Sequence, residues 1–141
     1  MKKICMAGLL LGLSSVAHSA VPINMNCGMS VKAFFTPLIQ GRLINPKPFH
    51  VTPGSSLNQF RPKAFVGLTA FDLPVTTVVG FTDEPLLFTK VAEVTQDVYG
   101  VVVREGIGNV QAHLSSLGVP NARIFRVDAK ATLILCKGEM Q

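Results

Sequence analysis

The stretch "ARIFRVDAKATLILCK", residues 122–137, alternates with period two over its whole length. Phe125, Val127, Ala129, Ala131, Leu133 and Leu135 share one face, while Arg126, Asp128, Lys130 and Thr132 share the other. Successive side chains of a strand point to opposite sides of a sheet. The pattern therefore predicts one long strand with a buried face and a wet face, as in an antiparallel sheet. At Ile134 and Cys136 the second face also turns apolar. Something must cover the strand there, and the first strand of the chain is the expected cover.

That first strand is read in "GMSVKAFFT", residues 28–36, where Met29, Val31, Ala33 and Phe35 alternate with Ser30, Lys32 and Thr36. It follows directly on Cys27. Ahead of it stands "MKKICMAGLLLGLSSVAHSA", with Lys2 and Lys3, an apolar run from Ile4 to Leu13, and small residues to Ala20. This is the layout of a secretory signal peptide. The run is too short to cross a hydrocarbon core of about 30 Å as a helix. Residues 1–20 are expected to be removed, with cleavage after Ala20 or Ser19 and Ala17 as the alternative site, leaving residues 21–141 as a single exported domain. Cys5 leaves with the leader, so Cys27 and Cys136 remain of three cysteines. A lone pair in an oxidising compartment predicts a disulfide linking the N- and C-terminal strands. Closing so long a loop stabilises a fold by roughly 4 to 5 kcal/mol in the chain-entropy model. Two thiols without ligands at short spacing make a poor zinc cage, so no metal site is expected.

Between the ends, residues 37–63 carry Pro37, Pro46, Pro48, Pro53 and Pro62. They read as a long loop with at most a short edge strand at "FHVT". Ala64–Phe71 and Val75–Phe81 read as two strand pieces bent at Pro74. "DEP" at 83–85 reads as a turn into a strand from Leu86 to about Val94. Val98–Arg104 reads as a buried strand. The period then changes. Val110, Leu114 and Leu117 form a helical stripe, and Gly118 and Pro120 end it, which predicts a short helix near 109–117 packed on Phe125, Val127 and Leu133. Strands outnumber the helix, so the expected fold is α+β: a mainly antiparallel β-sheet with one short helix packed on one face.

Charge is unevenly placed. No acidic residue occurs from Val21 to Phe71, against Lys32, Arg42, Lys47, Arg61 and Lys63; all eight acids lie from Asp72 onward. The first half is a candidate basic surface for an acidic protein cleft or an anionic envelope glycan. No aromatic-plus-basic recognition motif accompanies it, so nucleic acid is not expected. The segment "INPKPFHVTPGSS" joins proline stiffness to Lys47, Phe49 and His50, and a stiff loop loses less entropy on docking. Arg42, Lys47, Phe49, His50, Arg61 and Lys63 are the candidate partner-binding residues. Phe49 either fills a partner's pocket or turns inward to plug the core.

Catalytic signatures are missing. "VVVREGIGN" has Gln111 where a dinucleotide fingerprint needs its third glycine, and no phosphate-loop lysine follows Gly108, so no cofactor is expected. "PGSS" at 53–56 is not a nucleophile elbow. His50 and His113 are too far apart to form a local ligand pair. In size, leader and cysteine clasp the chain resembles small periplasmic lysozyme inhibitors and secretion-system immunity proteins, without the Ser-Gly-x-x-Tyr signature of one inhibitor class. The expected function is a non-catalytic periplasmic or secreted inhibitor or immunity protein acting on an envelope enzyme or toxin. Its partner would offer an acidic cleft, a homodimer stays open, and no integral membrane segment remains after cleavage. Two alternatives are a small envelope enzyme using His50 with a distant acid, and a structural envelope component.

Overall fold

Ser30 decides how the domain begins. Its backbone is extended and its Oγ accepts a hydrogen bond from Ala33 N at 3.0 Å, which makes it the N-cap of a helix, α1, Val31–Gln40. The computed structural model describes residues 20–83, 87–93 and 95–138. The leader, Ala20 apart, lies outside these residues, as do Glu84, Pro85, Leu86 and Val94 of the expected turn and strand. Among the described residues no helix is long and apolar enough to cross a membrane.

The expected strand at 29–35 is therefore wrong. Val31, Phe34, Phe35 and Leu38 are buried, the i, i+3, i+4, i+7 spacing of a helix face. Pro37 sits inside α1 without breaking it. Both Pro37 and Ala33, whose carbonyl it leaves without a helical partner, are exposed, so water can serve that carbonyl.

The remaining elements are β1 (Val21–Pro22), β2 (His50–Val51), β3 (Asn58–Phe60), β4 (Leu68–Ala70), β5 (Leu73–Phe81), β6 (Val98–Val103), α2 (Ile107–Leu117), β7 (Arg123–Asp128) and β8 (Ala131–Lys137). They form one eight-stranded sheet in the order β1-β4-β5-β6-β8-β7, with β3 beside β5 and β2 outside β3. Every pairing is antiparallel except that of β1 with β4. Since β6 takes one margin of β5, β3 and β4 share the other.

Tyr99, Val101 and Val103 of β6 and Thr132, Ile134 and Cys136 of β8 are buried on one face. Phe34 stacks on Tyr99 at 4.8 Å between centroids, and Phe35 meets Phe60 at 5.4 Å and Phe88 at 5.0 Å. Phe35 lies so close over Gly80 that any side chain there would collide with its ring. Val110 and Leu114 of α2 complete the same core. Thr132 Oγ1 donates to Glu105 O at 2.7 Å, drawing the chain after β6 onto that face. Two helices, not one, thus cover the sheet.

The opening stretch is corrected as well. It is a hairpin rather than one long strand, because Asp128 Oδ1 accepts from Lys130 N at 2.7 Å and turns the chain between β7 and β8. Its faces are also exchanged. Thr132, Ile134 and Cys136 point into the core, while Phe125 and Val127 are 47% and 54% exposed. Leu117, expected against them, is exposed too. Residues 63–66 form a turn, so the first strand piece shrinks to β4, and residues 87–93 carry no strand.

Cys27 and Cys136 are joined by a disulfide with Cα atoms 5.0 Å apart. It ties β8 to the turn ahead of α1, not to a strand. Disulfides of this kind belong to oxidising compartments.

Candidate functional site

Residues 37–63 are largely a paired hairpin. After α1, Arg42 takes φ 53, and Leu43 N donates back to Leu38 O at 2.9 Å, closing the helix. The arms then pair: Lys63 N donates to Leu43 O, Asn45 N to Arg61 O, Phe49 N to Gln59 O and Thr52 N to Leu57 O, each at 2.9 Å. The β2–β3 register, His50 with Gln59 and Val51 with Asn58, continues this ladder. Ile44 and Phe60, both buried, anchor the arms to the core. The expected edge strand at "FHVT" is present as β2.

Two polar residues fasten the tip. Ser56 Oγ accepts from Val91 N and Ala92 N, both at 2.8 Å. Asn58 Nδ2 donates to Ser56 O at 2.7 Å and Thr89 O at 2.9 Å, while its Oδ1 accepts from Thr89 N at 2.8 Å. Both residues are fully buried. A buried amide with its hydrogen-bonding capacity used in this way holds segment 87–93 against the hairpin without any strand pairing.

On this frame Arg42, Lys47, Phe49, His50, Arg61 and Lys63 are all exposed. Lys47 stands at a bend within the first arm, where Asn45 Oδ1 accepts from its backbone N–H at 3.1 Å. Phe49 does not plug the core: it is 43% exposed, with the Arg61 guanidinium 4.1 Å above its ring centroid. Among the described residues the one ion pair joins Lys90 to Asp83 at 3.5 Å, so the hairpin cations are unpaired. The structure brings these six residues onto paired arms within one hairpin and the helix end that feeds it.

Sequence reasoning missed Phe65. The Val66 N–H donates to Lys63 O at 3.1 Å, and Phe65 takes φ 66, the pattern of a type II turn with phenylalanine where glycine is favoured. For an L-residue the left-handed region costs about 1 to 2 kcal/mol. Its ring is 92% exposed. The signal was present in "KAFVG", a short segment with a nearby glycine between strands, but an apolar residue at a turn tip reads as strand.

His50 makes no side-chain hydrogen bond among the described residues. His113 Nε2 is bonded to Phe71 O and so pins the β4–β5 turn to α2. Three surface depressions are half open. One of about 220 Å³ lies between α1 and Leu87–Phe88, with Lys32 at its edge. One of about 300 Å³ lies between Gly54, Leu57, Gln96 and Leu135, and one of about 440 Å³ beside Cys27 and Pro120. None gathers two carboxylates or sets a histidine beside a nucleophile. No group of three or more metal-ligating side chains occurs among the described residues. Comparison of the chain with protein-family models, with curated proteins and with solved structures finds no match.

Proposed function

We propose that this protein is a small non-catalytic binding protein of the periplasm or extracellular medium, an inhibitor or immunity protein that neutralises an envelope-acting enzyme or toxin of the cell-wall hydrolase class. The observation that carries the reading is the hairpin, which collects four cations with no acidic partner among the described residues, an exposed aromatic ring and His50 on arms already held by backbone bonds. Pre-paired arms lose little freedom on docking. Aromatic and arginine side chains are the types that most often dominate binding energy. Glycosidases work through two carboxylates flanking the scissile bond, so their clefts are acidic by necessity. A cationic hairpin is complementary to such a cleft.

The disulfide supports an exported location. The enzyme alternative gains nothing from the geometry, since His50 has no carboxylate or hydroxyl partner among the described residues. The structural-component alternative rests on the free margin of β7, which Arg123, Arg126 and a bulge between Arg126 and Asp128 guard against strand addition.

The test is a charge reversal, Lys47→Glu with Arg61→Glu. Inhibition of envelope muralytic activity, and affinity for the enzyme responsible, should fall about tenfold or more with the far-UV spectrum unchanged. Undiminished inhibition by the reversed protein would reject the reading.

A further inference from the structure

Phe65 carries two costs at once. Among the described residues its ring is the most exposed of the large apolar side chains, at 92% against 54% for the next, Val127. Its backbone is left-handed, a conformation that glycine would adopt without steric penalty. Neither feature serves the free protein. Strain of this kind persists where a site needs a particular side chain in a particular place.

The place is informative. The Lys63–Val66 turn leads from β3 toward β4 on the shared margin of β5. Lys63, its first residue, is bonded to Leu43, and Leu43 follows Arg42, which is itself left-handed and exposed. Arg61 lies two residues earlier. Phe65 thus projects from the foot of the basic hairpin, beside cations that have no acidic partner among the described residues.

We propose that Phe65 is the apolar anchor of the docking surface: its ring enters an apolar socket on the partner protein while Arg42, Arg61 and Lys63 meet carboxylates at the rim. This rests on the docking reading above and adds the residue that seats the hairpin. A socket in a protein buries one rigid ring completely, as interface anchors require. A lipid surface gives a single apolar insertion only marginal retention, which makes it the weaker match.

The mature oxidised protein, Phe65→Gly, Phe65→Tyr and the Lys47→Glu/Arg61→Glu pair would be immobilised and exposed to envelope extract. The protein retained by wild type would then be purified and titrated against all four. In parallel, each would be floated with vesicles of phosphatidylcholine mixed with phosphatidylglycerol. The expected result is an affinity loss of about tenfold or more for Phe65→Gly, near-native affinity for Phe65→Tyr, and an unfolding midpoint for Phe65→Gly at or above wild type. Equal affinity for Phe65→Gly, with the charge pair still weakened, would overturn the anchor and leave the docking hairpin standing. A lowered midpoint for Phe65→Gly would make the ring structural and also overturn it. Retention of vesicles alone, or of nothing, would overturn both proposals.

Discussion

The guanidinium of Arg61 lies over the ring of Phe49, 4.1 Å from its centroid, and so bridges the two arms of the hairpin between the Asn45–Arg61 and Phe49–Gln59 backbone bonds. One contact stiffens the arms and holds a charge outward. A guanidinium stacked by its face keeps its N–H groups directed along its plane, free for a carboxylate.

Replacing Phe49 with alanine should therefore cost about 0.5 to 1 kcal/mol of stability. It should weaken partner binding by more than that. Arg61→Lys keeps the charge yet loses the planar stack, so it should fall between wild type and Arg61→Ala. Chemical denaturation and calorimetric titration of the three variants measure both effects.

If the hairpin cations steer docking, association should slow as salt is raised, with dissociation little changed. The screening length shortens to about 8 Å at physiological ionic strength, and steering weakens with it. Surface plasmon resonance across a salt series separates the two rates. A flat association rate would remove charge from the mechanism.

Asn58→Ala should be among the most damaging single changes outside the apolar core. It deletes three hydrogen bonds and leaves Thr89 N–H and the carbonyls of Ser56 and Thr89 short of partners. A loss of about 2 to 4 kcal/mol is expected. Hydrogen exchange should show residues 87–93 losing protection ahead of β5 and β6.

Cys27→Ser should lower stability by about 5 kcal/mol, the loop-closure value for a separation of 109 residues. Urea denaturation with and without reductant gives the comparison. Wild type under reductant should approach the variant, while the variant should be indifferent to it.

The sequence was most legible where one period dominates. Val98–Val103, the α2 stripe at Val110 and Leu114, its Gly118 stop at φ 65 and the cysteine pair were all readable. The first helix was not, because Met29, Val31, Ala33 and Phe35 alternate as a strand would while Val31, Phe34, Phe35 and Leu38 also satisfy a helix, and Pro37 argued for a break. Ser30 as a cap was the deciding residue. The β7–β8 hairpin was hidden because its turn uses Asp128 rather than glycine or proline. Phe125 pairs with Leu133 and Arg126 with Thr132 across it, so the two faces read from the alternation survive the turn, and only the choice of the buried one is reversed. The basic residues of the hairpin were found as a set from charge alone, but their pairing depended on distant partners: Ser56 and Asn58 reach across more than thirty positions to hold residues 89–92.

Those fastenings bear on how such a protein can change targets. The tip at residues 52–57 is not a free end, since Ser56 and Asn58 bind it to the segment beyond β5. Added length there would loosen two stretches of chain together. The bend at Pro46–Pro48 is exposed at Pro46 and Lys47 and carries none of the ladder bonds described, so insertions, deletions and new side chains can accumulate around Lys47 while the scaffold stays intact. Variation among descendants of this protein should therefore concentrate at that bend, and retargeting by design should begin there.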